Sequence, residues 1–167
     1  DVFHKAVAPW LRTPRDAARL SNAVAVVWPV VSDEVDLGDL VAIETLRLFE
    51  PKIYDLIRCN PSEVTGLRSE GLGRHESPEF AESLLAATPR GVIVKRALTT
   101  LFPRLQGVWS NHGYASGFLD IWDRARRVCS ARRFAVSDLR AEHGREDEAE
   151  GVPEADRLVD ASELVRI

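Results

Sequence analysis

The sequence predicts an all-α fold, a helical bundle-like domain of about six or seven helices. Apolar residues recur at the 3.6-residue period of a helix, and the period-2 alternation that marks β-strands is nearly absent. Proline also follows Thr, Ser or Asn at four positions where a helix should begin, which suits a capping residue followed by the first helical position. Together these patterns favour helices throughout.

The first long helix is predicted from the segment that starts at Thr13. Residues 1–11 before it form a short, partly apolar stretch broken by Pro9. Thr13 can cap the helix, Pro14 suits its first position, and Asp16 stands where an acid reaches back to the cap. One apolar face follows at helical spacing (Ala17, Leu20, Val24, Val27, Trp28, Val31). Pro29 is expected to kink or end this helix near Trp28.

The second helix is predicted over residues 37–49, with Asp36 as its N-cap. Apolar residues surround most of it, so it should be the most buried helix. Glu44 and Arg47 lie one turn apart and could pair. Pro51 opens a further short helix, and the segment 60–63 repeats the cap-proline-acid pattern and could form a single turn.

The later helices are separated by glycine-rich segments. Residues 66–76 are predicted to be an exposed loop, followed by a helix from Ser77 to about Ala87. Thr88-Pro89 should start the next helix, which ends at Pro103. Its core face is apolar (Val94, Ala97, Leu98, Leu101). Residues 106–117 read as a loop, and a helix should follow from about residue 116 to about residue 128.

The chain divides by composition into a helical domain, residues 1–134, and an acidic, partly mobile tail, residues 135–167, with room for a short helix in 153–167. Its acidic run comprises Glu142, Glu146, Asp147, Glu148 and Glu150. Before it stand five arginines (Arg124, Arg126, Arg127, Arg132, Arg133). They could contact a nucleic-acid backbone, but a solvated helix end, offset by the acidic tail, is the favoured interpretation.

The composition indicates one globular domain. The 167 residues are 45% hydrophobic and 29% charged, which is ordinary for a folded protein with a buried core. The net charge of −4 argues against nucleic-acid binding through bulk positive charge. The longest apolar run, residues 23–31, is well short of the roughly 20 residues that a membrane span needs. The chain starts at Asp1 and has no methionine, so we expect a piece of a longer protein.

The cysteine and histidine positions give no sign of a metal or nucleophile site. Cys59 and Cys129 show no CxxC or Cys/His ligand spacing, and the four histidines are scattered. We expect two reduced core thiols in an intracellular, cytoplasmic protein. Neighbouring arginines could lower the pKa of Cys129, yet a buried structural thiol is favoured. No phosphate-binding, dinucleotide-binding or metalloprotease motif is present.

The candidate binding residues are Arg15, Arg19 and Asn22, which share one face of the first long helix, away from its core stripe. Guanidinium groups presented in this way can bind a phosphate through paired hydrogen bonds. The alternative is a solvated arginine face with Asp16 as a partner. Spacing alone favours that alternative.

Two segments carry a resemblance to a known family, TPRDAARLSNAV and EVDLGDLVAIETLRLFEPKIYDLIR. They resemble the helical region that follows the nucleotide-binding core in KAP-family P-loop NTPases. The matching residues are Arg15, Asp16, Arg19, Leu20, Asn22, Asp39, Leu40, Glu44, Leu46, Arg47, Leu48, Phe49, Pro51, Tyr54 and Arg58. The later segments LFPRL and RRVCS and Trp109 are also similar, so the resemblance covers residues 13–134.

The resemblance implies a lid-like C-terminal module that packs on an upstream ATPase core, with ATP and Mg²⁺ bound in that core and no cofactor in this segment. The Walker motifs are absent here, so no ATP hydrolysis is expected from this segment alone. By analogy, Arg15 or Arg19 would reach the nucleotide and sense its state. The alternative is a free-standing helical protein-interaction module without a nucleotide role. An enzyme with an unrecognised site is a third possibility.

Overall fold

The computed structural model describes residues 2–65, 77–110 and 117–135, and within these ranges the predicted all-α fold is confirmed, with no strand. The helices are α1 (Val2–Ala6), a 3₁₀ helix (Ala8–Trp10), α2 (Pro14–Val31), α3 (Leu37–Phe49), α4 (Pro51–Cys59), α5 (Pro61–Thr65), α6 (Pro78–Ala86), α7 (Gly91–Leu101), α8 (Pro103–Ser110) and α9 (Gly117–Arg124). Residues 131–135 are also helical. The predicted loop 66–76 and tail residues 136–167 lie outside the described ranges.

Helix α2 begins with the predicted capping box. The Thr13 hydroxyl accepts a hydrogen bond from the Asp16 backbone N–H at 3.2 Å, and the Asp16 carboxylate accepts one from the Thr13 N–H at 2.9 Å. Helix α2 continues through Pro29 to Val31, so of the two predicted effects of Pro29 the end near Trp28 is wrong, while a kink there stays a prediction. Burial explains the extra turn, because Val31 is fully buried in a small cluster with Val27, Val35 and Leu40.

Thr13→Ala is expected to lower the free energy of unfolding by about 1 kcal/mol, because the cap hydroxyl satisfies a backbone N–H that otherwise lacks a helical partner. Urea unfolding followed by circular dichroism measures the change. Ser21→Ala, at an exposed position inside the same helix, is the matched control and should cause no loss. If the two variants change the free energy of unfolding equally, Thr13 does not cap α2.

Helix α3 occupies the predicted residues and passes through the centre of the fold. Its N-cap is Asp36, whose carboxylate accepts from the Asp39 N–H at 3.1 Å. Seven of its 13 residues are buried, as expected for the most buried helix, and it packs against α1, α2, α4 and α7. The predicted pair is present, with Arg47 Nε 2.8 Å from Glu44 Oε2.

The main core lies between α1, α3 and the α6–α8 helices. The predicted core face of α7 is confirmed, because its four apolar residues are all fully buried. Helix α1 packs closely along α7. The short segment before α2, which the sequence left unassigned, thus belongs to the core. Helices α1 and α8 are the main reason why the structure contains more helices than the six or seven expected.

Three predicted boundaries are corrected by the structure. Helix α7 begins at Gly91 and not at Thr88-Pro89. The Thr88 hydroxyl donates to Glu50 and accepts from the Arg90 N–H at 3.1 Å, so it satisfies a backbone group just before the helix. Residues 106–110 are helical in α8 and not a loop; residues 111–116 of that predicted loop lie outside the described residues. Helix α9 ends at Arg124, well before residue 128, because Arg126 adopts a left-handed backbone conformation with φ of 55°.

Candidate functional site

The outward side of α2 holds the predicted binding residues. Arg15, Arg19 and Asn22 are all exposed, and so are the small residues Ala18 and Ala25 on the same side. We call these five residues the α2 outer face. The core side of the helix is turned the other way, where Leu20, Val27 and Val31 are buried. Small side chains flanked by arginines allow another surface to approach this helix closely while the guanidinium groups remain available for an anion.

Arg19 already contacts a residue of another helix. Its guanidinium carbon lies 5.6 Å from the centre of the Phe49 ring, at the end of α3, in the range of a cation–π interaction. The pKa of Asp16 is lowered by its hydrogen bond to the Thr13 hydroxyl, with a smaller contribution from the charge of Arg19. Arg15, one turn earlier, is exposed near the start of the helix.

Three of the arginines after α9 bond to distant parts of the fold, which neither sequence interpretation included, although one of them, Arg126, is exposed. Arg126 donates from Nη1 to the carbonyl oxygens of Ser32 and Asp33, at 3.3 and 3.4 Å. Arg133 pairs with Glu34 and donates from Nε to Asp123 at 3.1 Å. We call Arg126, Arg127 and Arg133 the arginine clasp, because they attach the end of the described chain to the α2–α3 connection and to α3.

Asp39 and Arg127 form the buried centre of the clasp. Asp39 Oδ2 lies 2.6 Å from Arg127 Nε and 2.9 Å from the Val128 N, while Arg127 Nη2 donates to the Thr100 carbonyl at 2.9 Å. Asp39 is fully buried, and its Oδ1 has no hydrogen-bond partner in the structure. Burial raises the pKa of Asp39 even though the hydrogen bond and charge of Arg127 act to lower it.

Asp123 has the opposite titration behaviour. Its pKa is lowered, first by the hydrogen bond from the Ser130 hydroxyl at 3.0 Å and then by Arg133. The stabilisation from this carboxylate is therefore present above the ordinary pKa of aspartate and is lost as the pH falls through the lowered value. These bonds connect α9 with residues 130–133.

Glu50 is a second buried acid that sequence reasoning missed. Its Oε1 accepts from Trp10 Nε1 at 3.2 Å, its Oε2 accepts from the Thr88 hydroxyl at 2.9 Å, and Arg90 Nη1 lies 3.6 Å away. The carboxylate thus connects the 3₁₀ helix, the α3–α4 junction and the segment before α7. In the sequence, Glu50 stands out only as an acid directly before Pro51 in an apolar region. This pattern does not identify the residues that bond to it.

The two cysteines differ in environment. Cys129 is buried as expected, and burial raises its pKa to about 12 despite the nearby Arg127 charge. Its thiol therefore stays protonated at neutral pH and is a poor nucleophile. Cys59, predicted to be a core thiol, is exposed at the end of α4. Its side chain falls outside the apolar side of that helix, where Ile53 and Ile57 are buried.

Within the described ranges, no group of three or more His, Cys, Asp or Glu residues is placed to hold a metal ion. The same residues include no helix with the length and apolar character required to cross a bilayer. No family model, curated protein or solved structure matches the chain.

Proposed function

We propose that this chain is a helical module of a KAP-type P-loop NTPase that packs on the ATP-binding core through the α2 outer face. The observation that supports this proposal is the exposure of Arg15, Arg19 and Asn22 on one side of α2. The buried acids Asp39, Glu44 and Glu50 each have an arginine partner. None of these partners is Arg15 or Arg19. Both remain on the surface, where an anion can meet them.

In this proposal the core binds ATP with Mg²⁺, and Arg15 approaches the phosphate groups once the α2 outer face is docked. The exposed alanines Ala18 and Ala25 let the core approach the helix closely. A guanidinium group can form two parallel hydrogen bonds to phosphate oxygens. Hydrolysis removes one phosphate and one metal-binding contact, so the arginine interaction would differ between the ATP and ADP states. That difference would couple nucleotide state to the position of the module.

The test is ATP hydrolysis by the whole natural protein that carries this sequence. The variant Arg15→Ala/Arg19→Ala should lower turnover by at least about tenfold, since arginines that contact the transferred phosphate can contribute about 10³ to 10⁵ in rate. Arg96→Ala/Arg124→Ala, which removes two exposed arginines from other helices, is the matched control and should retain activity. Turnover and ATP affinity unchanged in the first variant would refute a nucleotide role.

A second candidate is a free-standing helical module that binds a protein through the same face without a nucleotide role. The contact of Arg19 with Phe49 favours it, because this arginine already interacts with an aromatic ring of the module itself and need not bind a phosphate. This candidate expects an Ala25→Glu variant to lose the protein partner, while Arg15→Ala/Arg19→Ala leaves ATP turnover unchanged. Ala25 is exposed, so the added glutamate should not disturb folding.

A further inference from the structure

The contact between Arg19 and Phe49 joins two neighbouring helices, where α2 begins and α3 ends. Arg19 lies in the second turn of α2, and Phe49 is the last residue of α3. The two helices pack against each other, and the guanidinium carbon of Arg19 lies 5.6 Å from the centre of the Phe49 ring. The position of this arginine therefore depends on a residue outside its own helix.

Phe49 is held in place by its surroundings. Its side chain is partly buried and packs against the main core. The next residue, Glu50, donates its backbone N–H to the Leu46 carbonyl at 2.8 Å, which closes the last turn of α3. The Glu50 carboxylate also accepts from Trp10 and Thr88. The end of α3 is thus fixed by bonds to other parts of the fold, and the ring offers Arg19 a firm surface.

Asp16, the acid that lies between Arg15 and Arg19 on α2, is bonded elsewhere. Its carboxylate accepts from the Thr13 hydroxyl and from the Thr13 N–H, both at 2.9 Å. Its charge acts on Arg19 only as the smallest of the influences that lower the pKa of Asp16. Within the described ranges, Arg15 has no ring contact like that of Arg19. Arg19 is therefore the arginine of this face that an aromatic ring orients.

A contact of this kind favours the binding of an anion. An exposed arginine has many rotamers, and fixing it in one of them costs conformational entropy. A ring that restricts the side chain beforehand reduces that cost when a ligand binds. The cation–π attraction acts through the ring face and uses none of the five N–H donors of the guanidinium group. The same group can therefore contact Phe49 and donate hydrogen bonds to phosphate oxygens.

We propose that Phe49 is a positioning residue for Arg19, whose ring holds the guanidinium group on the α2 outer face in an orientation that suits a phosphate. The inference rests on the proposed nucleotide role and adds the end of α3 to the site. Phe49 does not touch the phosphate itself. It acts through Arg19, so its effect on ATP turnover requires that arginine.

The first test measures the contact in this chain, through the NMR signals of the Arg19 side chain. An aromatic ring shifts the signals of nuclei that lie close to its face. Phe49→Leu keeps an apolar side chain but removes the ring, so the Arg19 signals should move. Phe49→Tyr keeps the ring and should keep the signals near their original positions. Arg19 signals that are the same in Phe49→Leu and the unchanged chain would overturn the proposal.

The second test measures ATP turnover by the whole natural protein that carries this sequence. Phe49→Leu should lower turnover by about two- to fivefold, the factor that corresponds to a cation–π contact at an exposed site. Phe49→Tyr should restore most of this loss. In an Arg19→Ala background, Phe49→Leu should have no further effect, because no guanidinium group remains to be positioned.

The turnover results separate a failure of this inference from a failure of the proposed function. Suppose that Arg15→Ala/Arg19→Ala lowers turnover, while Phe49→Leu causes either no loss or the same loss with and without Arg19. Phe49 would then serve only the packing of α3, and the nucleotide role of the arginines would stand. Unchanged turnover in Arg15→Ala/Arg19→Ala would refute the nucleotide role and this inference together. Circular dichroism of each variant verifies that the helices are retained.

Discussion

Arg127→Met is expected to lower the free energy of unfolding by about 3 kcal/mol or more at pH 7, because it leaves the fully buried carboxylate of Asp39 without its arginine. The Val128 N–H would remain as a partner for Asp39, but the bond from Arg127 to the Thr100 carbonyl would also be lost. Urea unfolding measures the change. Arg124→Met, the same substitution at an exposed arginine, should stay within about 0.5 kcal/mol.

The effect of Arg127→Met should depend on pH in a definite direction. Burial already raises the pKa of Asp39, and the lowering effects of Arg127 disappear in the variant. Below the ordinary pKa the carboxyl group is protonated in both the folded and the unfolded states, so the penalty is small. As the pH rises, the unfolded chain releases this proton first and folding becomes less favourable. The loss of stability should therefore be smaller at pH 4 than at pH 7.

The double variant Arg127→Met/Asp39→Asn separates the charge from the packing. It removes both charges and keeps an oxygen that can accept from the Val128 N–H, so much of the lost stability should return, and its pH dependence should be weak. A loss in Arg127→Met no larger than that in Arg124→Met would contradict the structural role of the clasp. A loss that Asp39→Asn does not reduce would assign the effect to the arginine's packing.

The helices of this fold could be predicted from sequence because their signals are local. Thr13, Asp36 and Ser77 each cap a helix three residues before the N–H group that they satisfy. The apolar period within α7 identified its buried face without knowledge of its neighbours. Where a local signal was weak, as in α8, burial of Leu105 in the core decided the outcome. The glycine at position 107 had suggested a loop, and tertiary packing outweighed that tendency.

The buried ion pairs could not be predicted because their partners are distant in the chain. Asp39 and Arg127 are 88 residues apart, and Glu50 and Trp10 are 40 apart. A single sequence shows that these residues are charged or aromatic, but only the packing of the helices brings them together. The candidate face on α2 was accessible to sequence reasoning for the opposite reason, since Arg15, Arg19 and Asn22 lie within two turns of one helix.

Glu50→Ala is expected to lower the free energy of unfolding by about 1.5 to 3 kcal/mol, the range for a hydrogen bond to a charged group. Its removal leaves Trp10 Nε1 and the Thr88 hydroxyl without the acceptor that each uses, and Arg90 without the acid that it pairs with. Urea unfolding of the variant measures this loss. Glu82→Ala, which removes an exposed glutamate from α6, is the matched control and should change stability by less than about 0.5 kcal/mol.

Glu50→Gln distinguishes the hydrogen bonds from the charge. Trp10 and Thr88 bond to different oxygens of Glu50, and the glutamine has its carbonyl oxygen at only one of these two positions. Its neutral amide also no longer attracts Arg90. Its stability should therefore fall between those of the unchanged chain and Glu50→Ala. If Glu50→Ala is no less stable than Glu82→Ala, these contacts do not fix the start of α7.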